Sequence, residues 1–279
     1  DPKFWELYKL TNVKTVLIQM ANKSHYWADN NFRNLYSPKR KKRIYKVNYM
    51  FFFNKHTAKK YRTFIKGKSF VIGSFKNNTF PISKKKKKKE ICYISTYKSA
   101  ANHKFYKKNH QNFMIWLKQY SKKNNLKINI LGRSVEEEAV REKEYYEKIF
   151  SKNNYNFIKG YYDRPTYKII DQFKYVFTVD STLGTENFSR NGRIGFIGNT
   201  PNEYPINTIK FGWNEKIKSK GRFWTNENKN KEFERVFNFV INGKDSEWSK
   251  LRKRYKSLMP FDYSNQIFKK KITSIIKKD

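Results

Sequence analysis

From residue 90 onward, short apolar runs alternate with longer amphipathic stretches. The runs at 90–95, 127–131, 155–159, 175–179 and 193–197 predict strands. The stretches at 109–124, 135–150, 166–173 and 182–190 predict the helices between them, the first burying Phe113, Ile115, Trp116, Leu117 and Tyr120. Strands separated by helices of this length predict a parallel sheet covered on both faces. A loop rich in Trp, Asn and Gly follows, then helices near 227–241 and 246–257 and a Lys-rich tail. Nearer the start, strands at 14–19, 49–53 and 69–72 flank a helix capped by Asn54 and running to about residue 64, a second βαβ pattern. Residues 76–89 hold Asn77, Asn78, Pro81 and a run of lysines, the composition of a linker. The domain boundary is therefore expected there, separating 1–80 from 81–279.

Composition changes this picture little. The chain has 279 residues and no apolar run long enough to cross a membrane as a helix. Its one cysteine, Cys92, excludes an internal disulfide and a multi-cysteine zinc site and fits a reduced, cytoplasmic setting. The start, Asp1-Pro2-Lys3, reads as a cut within a longer chain. The formal charge of +39 admits nucleic acid, anionic membrane or phosphorylated ligands as partners. Lysine dominates that charge, however, and abundant Asn, Ile, Tyr and Phe accompany it, as an AT-rich coding sequence would give. The lysine run is read as a solvated tether, with peripheral contact to the inner face of an anionic membrane as the sharper alternative. No specific nucleic-acid partner is expected, since no recognition motif occurs and the aromatics fall mostly in expected core segments.

In open parallel sheets ligands bind beyond the carboxyl ends of the strands, at helix N-termini. That rule selects the loops containing Ser95-Thr96-Tyr97, Gly132-Arg133-Ser134, residues 160–165, and Asp180-Ser181-Thr182-Leu183-Gly184. In the last, two hydroxyls stand at a helix entrance without the i+3 acid of a capping box. Ser181 and Thr182 either cap the helix or, with its free amides, hold a phosphate. Gly184 would let a ligand approach the backbone, and Glu186, one turn on, can accept hydrogen bonds from sugar or ribose hydroxyls. Arg190 either offsets phosphate charge or solvates the helix end. Arg133 and Ser134 repeat the logic on another strand, Arg133 reaching a phosphate or pairing with Glu136, Glu137 and Glu138. Asp163 and Arg164, beside Tyr161 and Tyr162, either read a nucleobase or form a plain loop. His25, His56, His103 and His110 show no metal-ligand spacing, and no metal or other cofactor is expected. Phosphate-loop, dinucleotide and nucleophile-elbow motifs are missing from the sequence, against NTPase, dehydrogenase and serine-hydrolase readings.

The segment Tyr175-Val176-Phe177-Thr178-Val179-Asp180-Ser181-Thr182-Leu183-Gly184-Thr185-Glu186, followed by Arg190-Asn191-Gly192-Arg193, resembles the strand–loop–helix of bacterial surface-carbohydrate transferases with a GT-B-like fold. Ile130-Leu131-Gly132-Arg133-Ser134 and the stretch from Phe70 to Asn78 are similar to other segments of that group, as, more distantly, are capsule Kdo-transferases and sialyltransferases. The resemblance spans roughly residues 14–225. It implies two Rossmann-like α/β domains, the N-terminal one an incomplete acceptor-side domain and the C-terminal one binding the donor nucleotide. It implies a metal-independent glycosyltransferase with a nucleotide-sugar donor held between the domains and a saccharide or lipid-linked acceptor. Ser181, Thr182, Gly184, Glu186, Arg133, Ser134, Thr96, Asp163 and Arg164 would surround the donor. The general base would come from the acceptor side, His25 or Asp29 in this chain, or from upstream of Asp1. The rival readings are a basic nucleic-acid-binding protein and an inactive sugar-binding relative.

Overall fold

A computed structural model describes residues 13–21, 45–63, 65–85, 87–97, 104–151, 154–160, 166–198 and 218–277. These divide into two compact units, one from residues 1–81 and 253–279 and the other from 82–252.

In the first unit, β1 (Val16–Ile18), β2 (Tyr45–Phe52) and β3 (Ile65–Val71) form a parallel sheet in the order β1-β2-β3. Met50, Phe51, Phe52 and Phe53 are fully buried. The helix α1 (Lys55–Tyr61) begins where the Asn54 side chain accepts a hydrogen bond from the Thr57 amide at 2.8 Å, the expected cap. After β3, Gly73 takes a left-handed φ of +72°, and a Cβ there would collide with the Pro260 carbonyl. The short helix α2 (Phe75–Asn78) follows, with Asn77 and Asn78 buried. Asn78 donates to the Ile72 carbonyl at 2.8 Å and to the Asn265 side chain at 3.1 Å, and accepts from the Asp262 amide at 3.0 Å.

The chain end therefore belongs with the start. The stretch read as a Lys-rich tail contains a helix, Gln266–Ile276, whose Phe268 ring meets Phe51 and Phe75 edge-on, each at 4.8 Å.

Among the described residues, the second unit carries seven strands. They are β4 (Lys88–Ile94), β5 (Ile128–Leu131), β6 (Asn156–Ile158), β7 (Phe173–Thr178), β8 (Arg193–Ile197), β9 (Lys220–Gly221) and β10 (Trp224–Thr225). Their order is β6-β5-β4-β7-β8-β10-β9, every pairing parallel except β9 with β10. The order reverses between β4 and β7, the switch point of a doubly wound sheet. The helices are α3 (Lys104–Lys123), α4 (Glu136–Phe150), α5 (Thr166–Ile170), α6 (Thr182–Ser189), α7 (Asn230–Asn242) and α8 (Asp245–Tyr255), with residues beyond Arg252 assigned to the first unit; the helix Gln266–Ile276 is α9.

Aromatic rings fill the core of this unit. Phe177 of β7 lies flat on Phe237 of α7, ring centres 3.7 Å apart, and Phe113, Trp116 and Tyr120 of α3 pack around Phe233 and Phe237. Ile115 points outward at 48% exposure, against the expectation that it is buried. It sits two residues from Phe113, about 200° around a helix and so on the other face. The lysine run also differs from a tether, because Lys88 and Lys89 already belong to β4. Long lysine stems tolerate a strand start when their ammonium groups reach water.

Candidate functional site

The first residues of the four loops named from sequence share one edge of the sheet. Ser95 follows β4, Gly132 follows β5, Gly160 follows β6 and Asp180 follows β7, and these strands are mutually parallel. Gly160 packs against the neighbouring loop, where an added Cβ would stand 2.5 Å from the Ser134 carbonyl oxygen.

At the helix entrance, Ser181 occupies the N-cap position of α6 with extended backbone (φ −63°, ψ 134°), yet its side chain makes no capping hydrogen bond. Half-buried, with Thr182 beside it, it opens a helix in whose first turn the Gly184 amide donates to the Ser181 carbonyl at 2.9 Å. Gly184 is explained by packing: a Cβ would lie 2.6 Å from the Thr178 methyl and 3.1 Å from the Phe196 ring. The close approach that it permits is that of the sheet. Glu186 is buried in the same helix at 4% exposure. Arg190 is committed elsewhere. Its guanidinium is fully buried, forms a two-point ion pair with Asp171 at 3.0 and 2.5 Å, and lies over the Tyr167 ring.

Across the switch point, a buried carboxylate shapes the second loop. Glu142 of α4 accepts hydrogen bonds from the Arg133 amide (3.1 Å), the Ser134 amide (2.8 Å) and the Ser95 hydroxyl, which also meets the Tyr146 hydroxyl at 2.8 Å. This leaves the Arg133 side chain exposed, with no ion pair to the acidic triplet. Its charge acts instead on Asp180, whose carboxyl is pushed up by surrounding protein and pulled back by Arg133. Asp180 nevertheless keeps solvent contact. Ser134 is 1% exposed, and its hydroxyl has no hydrogen-bond partner among the described residues.

Thr96 faces inward at 3% exposure, its hydroxyl 3.0 Å from that of Tyr93. Tyr93 continues to His110 Nε2 at 3.0 Å, and His110 Nδ1 meets the Tyr145 hydroxyl at 2.7 Å. Burial pushes His110 from 6.5 down to about 3 and pushes both phenols up, so the chain is neutral. A histidine held neutral this way binds no proton where the unfolded chain would. Its contribution to stability is complete above pH 6.5 and is lost as the pH falls from 6.5 toward 3. Relative to His110→Gln, the native protein should lose up to about 1.4 kcal/mol more per pH unit in that window, read by urea unfolding at successive pH values.

The structure thus brings Ser181, Thr182, Arg133 and Ser134 to one edge and turns Thr96 inward. His25, Asp29, Asp163 and Arg164 lie outside the described residues. Sequence reasoning missed Glu142, although a signal was present. It is an acid on the apolar stripe formed with Ala139, Tyr146 and Phe150.

Residues 16–276 match the family described as "putative O-antigen biosynthesis protein". The chain belongs to that family. No curated protein sequence matches it. Among solved structures, the chain is similar to the Neisseria meningitidis UDP-GlcNAc 2-epimerase bound to UDP-GlcNAc (10% identity, 96% of this chain and 71% of that one, TM-score 0.55). It is also similar to an S. aureus TarM variant in complex with fondaparinux, α-GlcNAc-glycerol and UDP (15% identity, 96% and 53%, TM-score 0.52). A third similar structure is the wall teichoic acid polymerase TagF with CDPG (12% identity, 94% and 63%, TM-score 0.51). The chain therefore spans about half the length of TarM. At these identities the likeness is one of fold, and the fold is GT-B-like with Rossmann-like parallel sheets. The resemblance read from the sequence motifs, to surface-carbohydrate transferases of that fold, holds at the level of family and fold.

Proposed function

We propose that this O-antigen biosynthesis family member is a glycosyltransferase that takes a sugar from a nucleotide-sugar donor, with the donor phosphate at the start of α6. The observation that carries this reading is Ser181, an N-cap residue whose hydroxyl does no capping. A hydroxyl released from that duty, beside Thr182 and at the positive end of a helix, is arranged to accept an anion. Arg133 adds an exposed positive charge, and the Ser134 hydroxyl, without a hydrogen-bond partner among the described residues, adds a donor in the neighbouring loop.

In the transfer, an acceptor hydroxyl oxygen forms a bond to the anomeric carbon while that carbon's bond to the phosphate oxygen breaks. The electron pair leaves with the nucleotide. Negative charge then grows on the phosphate, where the α6 amides, Ser181, Thr182 and Arg133 stabilise it without a metal. The acceptor proton passes to a general base, for which His25 and Asp29 are the proposed groups. The acceptor is a surface saccharide or its lipid-linked precursor, and such donors place the reaction in the cytoplasm, at the inner face of the membrane.

Thermal unfolding in the presence of UDP-, GDP-, CDP- and CMP-sugars tests the reading. One donor class should stabilise the protein, by about 2.7 kcal/mol at a hundredfold excess over Kd. The same donor should lose its sugar when a saccharide acceptor is added. Stabilisation by no donor would sink the proposal. Because an epimerase shares the fold, an acceptor-free arm should be followed for inversion within the donor sugar; that result would replace transfer with isomerisation.

A further inference from the structure

The edge of the second unit's sheet opposite the Ser181 loop carries a separate feature. Lys87 and Lys89 at the start of β4, Lys174 at the start of β7, and Asn191 and Arg193 at the start of β8 line a cavity of about 300 Å³ with Asp245 and Arg252 of α8. Parallel pairing explains the gathering, since Lys88 stands beside Phe173 and Tyr175 beside Arg193, so the amino ends of three adjacent strands coincide. Five cations therefore face one carboxylate. Asp245 is already taken, because it pairs with Arg193 at 2.7 Å while the same guanidinium caps the carbonyls of Val240 and Ile241 at 3.2 Å. Lys87, Lys89, Lys174 and Arg252 make no ion pair among the described residues.

Like charges in a concave space repel one another and lose hydration, a cost that a bound anion removes. The strain is visible at two of them, with burial lowering both Lys87 and Arg252 from their ordinary values. For Lys87 the buried Asp171 works against that fall, and Arg190 and Arg252 add to it. Arg252 is relieved by Asp245 and pressed by Arg193. A lysine-rich composition spreads charge over a surface, whereas this cavity collects it from separate strands and a helix.

We propose that this cavity is a second anion site, distinct from the donor loops, that takes a multiply charged phosphate group. The group can come from a soluble phosphate compound or from a lipid headgroup, and Lys174 and Arg252 are the cations best placed to test it because the Arg193–Asp245 pair stays intact without them. Inorganic pyrophosphate titrated calorimetrically into the full chain should bind saturably. Lys174→Gln/Arg252→Gln should weaken that binding about tenfold or more. Lys174→Arg/Arg252→Lys should retain it.

Sedimentation with vesicles containing phosphatidic acid, whose headgroup is a phosphate monoester, separates the two sources. If vesicle binding falls with the same Gln pair, the ligand is a lipid headgroup; if only pyrophosphate binding falls, it is a soluble phosphate. Lys122→Gln/Lys123→Gln, two exposed lysines at the end of α3, is the control for diffuse charge. Pyrophosphate binding that is absent, or that falls equally in the control, would overturn the proposal.

Discussion

Replacing Ser181 and Thr182 together by alanine should leave a folded protein whose affinity for its nucleotide-sugar donor is reduced at least tenfold. A helix-capping role and a phosphate-binding role make opposite demands on this variant. An N-cap hydroxyl that accepts an amide hydrogen bond is typically worth about 1 kcal/mol of folding stability. Ser181 accepts no such bond, so its loss should cost less than that amount. A hydrogen bond to a charged phosphate is worth roughly 1.5–3 kcal/mol, which appears as affinity and not as stability. Urea unfolding and donor titration on the same preparation therefore separate the cases. Glu186→Gln keeps side-chain shape while removing charge and part of the acceptor capacity in the first turns of the same helix. A double variant that is clearly destabilised but binds donor normally would return Ser181 and Thr182 to a capping role.

Why the sheet could be read from sequence, and parts of the site could not, is a matter of range. Strand–helix alternation is local, and every apolar run from residue 90 to 197 became a strand within a few residues of the expected place. The common edge for Ser95, Gly132, Gly160 and Asp180 then followed from parallel pairing. What side chains do across that edge depends on partners far away in the chain. Gly184 reads locally as room for a ligand, but Thr178 and Phe196 occupy that room. Thr96 reads as a loop hydroxyl, but Tyr93 turns it inward. Arg133 reads evenly between phosphate and the acidic triplet, and Glu142, four residues beyond the last of that triplet, decides matters by fixing the loop's backbone. The Lys-rich tail misled for a related reason. Its charge masks an apolar set, Phe268 among it, whose partners lie almost at the other end of the chain.

Arg190 shows the same dependence on distance, and its removal should produce the largest loss of stability of any variant considered. Its position after α6 admits a phosphate contact, yet both it and Asp171 are essentially inaccessible to water. Asp171 also accepts the Ser83 amide at 3.1 Å, which ties the entry of the second unit to the end of α5. A buried ion pair contributes little net stability when intact, because desolvating the charges offsets their attraction. Removing one partner is a different event, since the other charge remains buried without compensation. Arg190→Met and Asp171→Asn should each cost about 3–5 kcal/mol, lowering Tm by on the order of 10 °C in a protein of this size. The double replacement Arg190→Met/Asp171→Asn should recover part of that loss, because no full charge is left stranded. Urea unfolding of the four proteins closes the cycle. A cost below about 1 kcal/mol for Arg190→Met would mean that water reaches the pair. Arg190 would then be open to a ligand, and the phosphate role set aside for it would have to be restored.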